Sequence, residues 1–210
     1  EERRRRNSLM QLNKLGFCRG GVDELDTSGH TRLMHASRSG EKFLHLLEMC
    51  ITAGANPARQ HAGSGRTCLH YAADRGHHLS MSVLLQNASI RDTLALSRDE
   101  DGCTFLHLAV RRGHALVLQR SVELLSEWKG FAGLMGALDE QGRTPLHIAA
   151  LEGPTGHSPE PLQVLKDALA KGGVEVRLAL SAKDAKGLDP PSLAKLAGHP
   201  SSFLKLLRPP

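Results

Sequence analysis

The chain has 210 residues, 40% hydrophobic and 23% charged, with a formal net charge of +5 and 21 Gly. With 1 Trp, 1 Tyr and 5 Phe, its core has to be built mainly from Leu, Ala, Val and Met, a composition suited to closely packed small helices. No stretch approaches the roughly 18–20 uninterrupted apolar residues of a membrane span, no signal-peptide pattern opens the chain, and the length allows one large domain or two small ones.

The first residue is Glu1 and not an initiating methionine, which reads as a processed chain or a piece of a longer one. Residues 1–7 form a basic tail in which Arg3 to Arg6 run together. Such runs are usually solvated and unstructured, the alternatives being an import signal or a contact to nucleic acid or anionic lipid. Ser8 is placed to cap a helix running through Leu9, Met10, Leu12 and Leu15 to Gly16, so residues 8–25 are expected as an N-terminal capping helix or partial repeat.

From there an eleven-residue ruler, Gly to Gly, is used five times: Gly29/Gly40, Gly65/Gly76, Gly102/Gly113, Gly142/Gly153 and Gly187/Gly198. Between the glycines lie Thr31 to Ala36 (TRLMHA), Thr67 to Ala72 (TCLHYA), Thr104 to Ala109 (TFLHLA) and Thr144 to Ala149 (TPLHIA), then a degenerate Asp189 to Ala194 (DPPSLA). The units are taken as 26–61, 62–98, 99–138, 139–183 with an insertion, and 184–210 as a degenerate C-terminal capping repeat. Asp26, Asp99, Asp139 and Asp184, each three residues before its Gly, suit tight turns in which Asx side chains bond local backbone and Gly permits positive φ. Thr then caps a short helix, with Pro145 at its first position in one unit and Leu and Ala three apart on one stripe. The second Gly ends that helix, and a second apolar run follows, as in Met81…Val83-Leu84-Leu85. Each unit reads as turn, helix, helix.

The T-P-L-H-x-A pattern, with D-x-x-G before it and G-H after it, resembles the ankyrin repeat, whose period is about 33 residues. Gly65 to His77 (GRTCLHYAADRGH) is close to a full match, and the resemblance covers about Asp26 to Leu207. It implies an all-α solenoid of helix–turn–helix units joined by hairpin-like turns and capped at both ends. First-Gly spacings of 36, 37, 40 and 45 exceed the family period. Loops or helix extensions are therefore expected in every unit, notably at Trp128 to Phe131 and at the Pro/Gly-rich Gly153 to Pro159, where insertions often reach a binding face.

The residues offer no chemistry to set against this reading. Gly63 to Thr67 lacks the Lys and the spacing of a phosphate loop. His77-His78 with His70 has no third ligand at zinc spacing. His70, His107 and His147 hold a position that is structural in ankyrin repeats. The expectation is a non-enzyme with no cofactor, no metal and no small-molecule substrate. Cys18, Cys50, Cys68 and Cys103 form no C-x-x-C pair and read as reduced intracellular thiols, with cytoplasm or nucleus expected and an organelle open after removal of a transit peptide.

A stack of such repeats binds along an extended concave surface, and in ankyrin proteins the contacts lie at the turn tips and in the two residues before the second Gly. Here those expected partner-binding positions are Arg38, Ser39, Arg66, Asp74, Arg75, Arg111, Arg112, Arg143, Leu151 and Glu152. Arg38, Arg75, Arg111 and Arg112 would form a basic stripe, interrupted by Asp74, along which an acidic extended protein segment lies. The competing readings are a permanent subunit of a large assembly, with Trp128 to Phe131 wedged into a neighbour, and a nucleic-acid module. The shortage of aromatics and a charge of only +3 outside the tail argue against the latter.

Overall fold

The computed structural model describes residues 21–154 and 161–208. Arg3 to Arg6, the helix expected from Ser8 to Gly16, Cys18 and the part of the fourth-unit insertion at 155–160 lie outside the described residues. Within them the chain folds into thirteen α-helices, with no strand among the described residues. An inner row holds α1 (Arg32–Ser39), α3 (Cys68–Arg75), α6 (Phe105–Arg111), α9 (Pro145–Glu152) and α12 (Pro190–Leu196). An outer row holds α2 (Leu44–Thr52), α4 (His78–Gln86), α7 (Ala115–Leu125) and α10 (Pro161–Lys171), each packed on the next, and α13 (Ser201–Leu206) packs on α12 at the C-terminal end. The result is an all-α solenoid of turn–helix–helix units.

In the second, third and fourth units, part of the extra length folds into third helices, α5 (Ala88–Leu94), α8 (Phe131–Met135) and α11 (Val176–Ser181), which bury Ile90 and Leu94, Phe131, Leu134 and Met135, and Leu180 in the common core. Each fully buried side chain of this kind contributes roughly 1.5–3 kcal/mol, so these three helices extend the core. Trp128 belongs to the same layer: its Nε1 donates to Asp92 Oδ1 of α5 at 2.8 Å, which ties the third unit's added segment to the second's.

The turns stack through their backbones. Asp99 Oδ1 accepts the N–H groups of Asp101 and Cys103 at 3.1 and 2.9 Å, and Asp139 and Asp184 close their turns in the same way. Adjacent turns are then joined by Glu100 N–H to Ser64 O, Glu140 N–H to Asp101 O and Ala185 N–H to Gln141 O, at 3.0–3.1 Å. Gly102 shows why glycine is needed here. Its φ is +70°, and a Cβ would lie 2.9 Å from the Glu140 nitrogen of the next turn. The second unit departs from this plan: its turn is one residue longer, closed by His61 N–H to Arg66 O, and His61 Nε2 donates to Ser28 O of the first turn at 2.9 Å.

The T-x-L-H histidines link the inner row. The backbone N–H of Thr67, Thr104 and Thr144 donates to Nδ1 of His70, His107 and His147 at 3.1–3.2 Å, with the Thr hydroxyl 2.8–2.9 Å from the same nitrogen. Since a backbone N–H only donates, Nδ1 is the lone-pair nitrogen and Nε2 carries the proton. That Nε2–H donates onward, to Cys103 O and Arg143 O of the following unit and to Ala182 O at the junction with the fifth unit, at 3.0–3.1 Å. A second set starts at the G-H histidines: Nε2 of His77, His114 and His199 donates back to Arg38 O, Asp74 O and Leu151 O of an earlier unit. Gly76 seats one of these rings, since a Cβ there would lie 2.8 Å from His114.

His70, His107 and His147 are fully buried. Burial lowers all three pKa values, that of His107 to about 4, and the hydrogen bond to Arg143 O offsets this only in part. In the unfolded chain a histidine titrates near 6.5. Below that pH the unfolded chain takes up protons that the folded one refuses, so this contribution is complete above about pH 6.5 and is lost as pH falls toward 4. Urea unfolding at pH 7.5 and pH 4.5 should therefore show a large acid loss, and His107→Ala, which leaves the Thr104 N–H and Arg143 O without their partner, should cost roughly 2–4 kcal/mol at pH 7.5 and flatten part of the pH dependence. Equal stability at the two pH values would contradict the neutral-imidazole arrangement.

Candidate partner-binding face

The inner helices end on the same side as the turn tips, and this side holds the positions expected to bind a partner. At the end of α1, Arg38 and Ser39 are exposed; at the end of α3, Arg75 is exposed and Asp74 half-buried; at the end of α6, Arg112 is exposed and Arg111 half-buried; at the end of α9, Glu152 is exposed and Leu151 half-buried. Arg66 and Arg143 sit half-buried at the exits of their turns. The arginines do not form the continuous basic stripe read from the sequence. Asp74, with a side chain only 13% exposed, takes Arg112 Nε at 2.8 Å on Oδ1 and Arg66 Nη1 at 3.7 Å on Oδ2, while Arg66 Nε also lies 3.5 Å from Asp99 Oδ2. Arg143 pairs with Asp139 Oδ2 through Nη2 at 2.7 Å and Nε at 2.8 Å. Burial works against the Asp139 carboxylate, but the Arg143 hydrogen bonds outweigh it and hold its pKa below the ordinary value. Arg111 Nη2 reaches Cys103 Sγ at 3.3 Å.

The physical reason is register. With one Asp per unit interleaved among the arginines, stacking brings Asp74 beneath Arg112, 38 residues later, and the charges largely cancel within the wall. Arg38 and Arg75 make no ion pair among the described residues and are its outward-facing cations.

The face changes character toward the C-terminal end. Leu151, Leu188, Leu193 and Leu196 line a cleft of ≈ 420 Å³ whose rim includes Glu140, Arg143 and Lys186. Leu196 is 72% exposed. Two residues before the second Gly, successive units carry Arg38, Asp74, Arg111, Leu151 and Leu196, so the switch from charged to apolar was visible in the chain, but the cleft itself needed Leu188 and Leu193 from the degenerate fifth unit.

Burial pushes the Cys50 and Cys68 thiols up to about 12 and that of Cys103 up to about 11, so these three behave as small core residues and not as reactive thiolates. No helix among the described residues is long and apolar enough to cross a membrane.

A family model described as ankyrin repeats, in three copies, matches residues 33–127. Residues 33–127 of this chain are ankyrin repeats. Among relatives, it is 30% identical over 126 residues to protein glp-1 of Caenorhabditis elegans and 29% identical over 114 residues to the putative ankyrin repeat protein FPV222 of fowlpox virus. These alignments take in 56% and 54% of this chain but only 9% and 14% of the relatives, so the chain spans a small part of either. Ankyrin repeats are general protein–protein interaction modules, and protein binding is the role that family and fold support together.

Asp74 is the junction of the charged half of this ankyrin face. Asp74→Ala should strand Arg66 and Arg112 and lower stability by about 1–2 kcal/mol, whereas Arg75→Ala should stay within about 0.5 kcal/mol, both read by urea denaturation. Equal effects would place no network at Asp74.

Proposed function

We propose that this chain is a non-catalytic scaffold that holds a protein partner along the concave face, with the partner's acidic residues meeting Arg38 and Arg75 and an apolar side chain entering the Leu151–Leu196 cleft. Ser39, Arg112 and Glu152 border the same path, and Arg66, Asp74, Arg111 and Arg143 hold its wall in shape. The observation that carries this is the arrangement of the inner helix ends: two outward cations at one end, an apolar cleft at the other, and an internally neutralised wall between them. An extended segment is the ligand that matches a surface spread over several units in place of one pocket.

A nucleic-acid partner fits less well, because four of the six arginines are already engaged within the chain and only 7 residues in 210 are aromatic. A permanent place in a large assembly would have used Trp128 as an intermolecular wedge, and its indole N–H is spent on Asp92.

The test is capture of partners on the immobilised chain, identified by mass spectrometry, followed by binding of the isolated partner to Arg38→Glu/Arg75→Glu and to Leu196→Asp. Loss of roughly 10-fold or more in both variants, with the charge-reversal arm also salt-sensitive, is expected. Unchanged affinity in both would remove the concave face from recognition.

A further inference from the structure

The first unit differs from the others in a way the partner face does not use. Met34 replaces the T-x-L-H histidine, and imidazoles gather instead around the turn: His30, His35 and His61 beside Asp26. One ligand atom each from Asp26, His30 and His35 all lie within 4.8 Å of one another.

The two oxygens of Asp26 have separate tasks. Oδ1 accepts Ser28 N–H at 2.9 Å, Ser28 Oγ–H at 2.8 Å and His30 N–H at 2.9 Å, which closes the turn. Among the described residues Oδ2 is hydrogen-bonded only to His35 Nε2, at 2.5 Å. Burial opposes the charged form of Asp26, but these hydrogen bonds prevail and its pKa lies below the ordinary carboxylate range. Because the Ser28 hydroxyl proton goes to Asp26, the 3.0 Å contact from Ser28 Oγ to His30 Nδ1 is made by an Nδ1–H of neutral His30, and Nε2 keeps its lone pair. The His30 ring is held between His61, at a centroid distance of 4.6 Å, and Tyr71 and His35, each at 5.2 Å. His61 is not a further ligand: its Nε2 donates to Ser28 O, and its Nδ1 accepts Gly63 N–H and contacts Ser64 Oγ.

We propose that Asp26, His30 and His35 form a binding site for a borderline divalent transition-metal ion, Zn²⁺ in the first instance. Two imidazoles and one carboxylate suit zinc and its neighbours, whereas calcium and magnesium prefer all-oxygen sets. The ion replaces the proton that His35 Nε2 now shares with Asp26 Oδ2. His35 stays neutral by carrying its proton on Nδ1, and the two ligand atoms open to the spacing of about 3.3 Å that zinc bond lengths of roughly 2.0–2.2 Å require. Ser28 serves as the outer-shell partner that orients both Asp26 and His30. Asp26 and His35 are partly exposed, so the fourth coordination position is open to water or to a side chain of a bound protein.

The experiment is calorimetric titration of the chelator-treated full chain with Zn²⁺ alone, and with Co²⁺ for its visible ligand-field bands, beside His35→Gln and Asp26→Asn. Both substitutions keep the helix and the turn acceptor, and circular dichroism reports whether each variant is folded. One saturable Zn²⁺ per chain is expected, weakened in either folded variant by more than the roughly 10- to 100-fold typical of losing an outer-shell partner. Tetrahedral or five-coordinate Co²⁺ bands that vanish in the variants are also expected. Absence of saturable uptake, or uptake of the same affinity in both variants, would overturn the assignment.

Discussion

The structure rests on a neutral imidazole that is donor and acceptor at once. In His70, His107 and His147, Nδ1 receives the backbone N–H of the Thr that starts the same helix, and Nε2–H reaches a carbonyl of the next unit or, for His147, at the junction with it. A helix start and a unit-to-unit contact are thereby satisfied by one side chain, in a place where an unpaired backbone group would be costly. Protonation would put two donors face to face at Nδ1. Burial, which lowers the pKa of each ring, is thus part of the same arrangement that orients the units.

Because the units are held in register from behind, the face in front can be uneven. Asp74, Asp99 and Asp139 meet Arg112, Arg66 and Arg143 across or within units, so most of the charge is consumed in keeping the wall ordered. What the wall does not consume is the outward Arg38 and Arg75 and the apolar cleft at Leu151 and Leu196, on which the proposed recognition rests. A rigid surface of this kind binds an extended segment without a large ordering cost on its own side.

Much of the fold was legible in the chain, because the eleven-residue ruler, the Thr caps and the Asp turns each correspond to a local backbone demand. The insertions were not. Ala88–Leu94, Phe131–Met135 and Val176–Ser181 are too short to display a helical period, and their burial depends on neighbours such as Asp92 and Trp128 meeting across units. The ten positions expected to meet a partner were read by their place in the repeat, whereas the cancelling of Arg112 by Asp74 follows only from stacking. The Asp26, His30 and His35 cluster was hidden for a similar reason: its ligand spacing matches no zinc motif, and His61 had to be seen to be committed elsewhere before the remaining three stood out as a set.

The most direct test of the repeat-to-repeat relay is nitrogen-15 NMR of the histidine side chains between pH 7.5 and pH 5. Neutral Nε2–H signals for all three rings that outlast the ordinary histidine titration, in His107 to the acid end of that range, are the expected result. Protonated rings, or Nδ1–H tautomers, at pH 6 in the folded chain would contradict it.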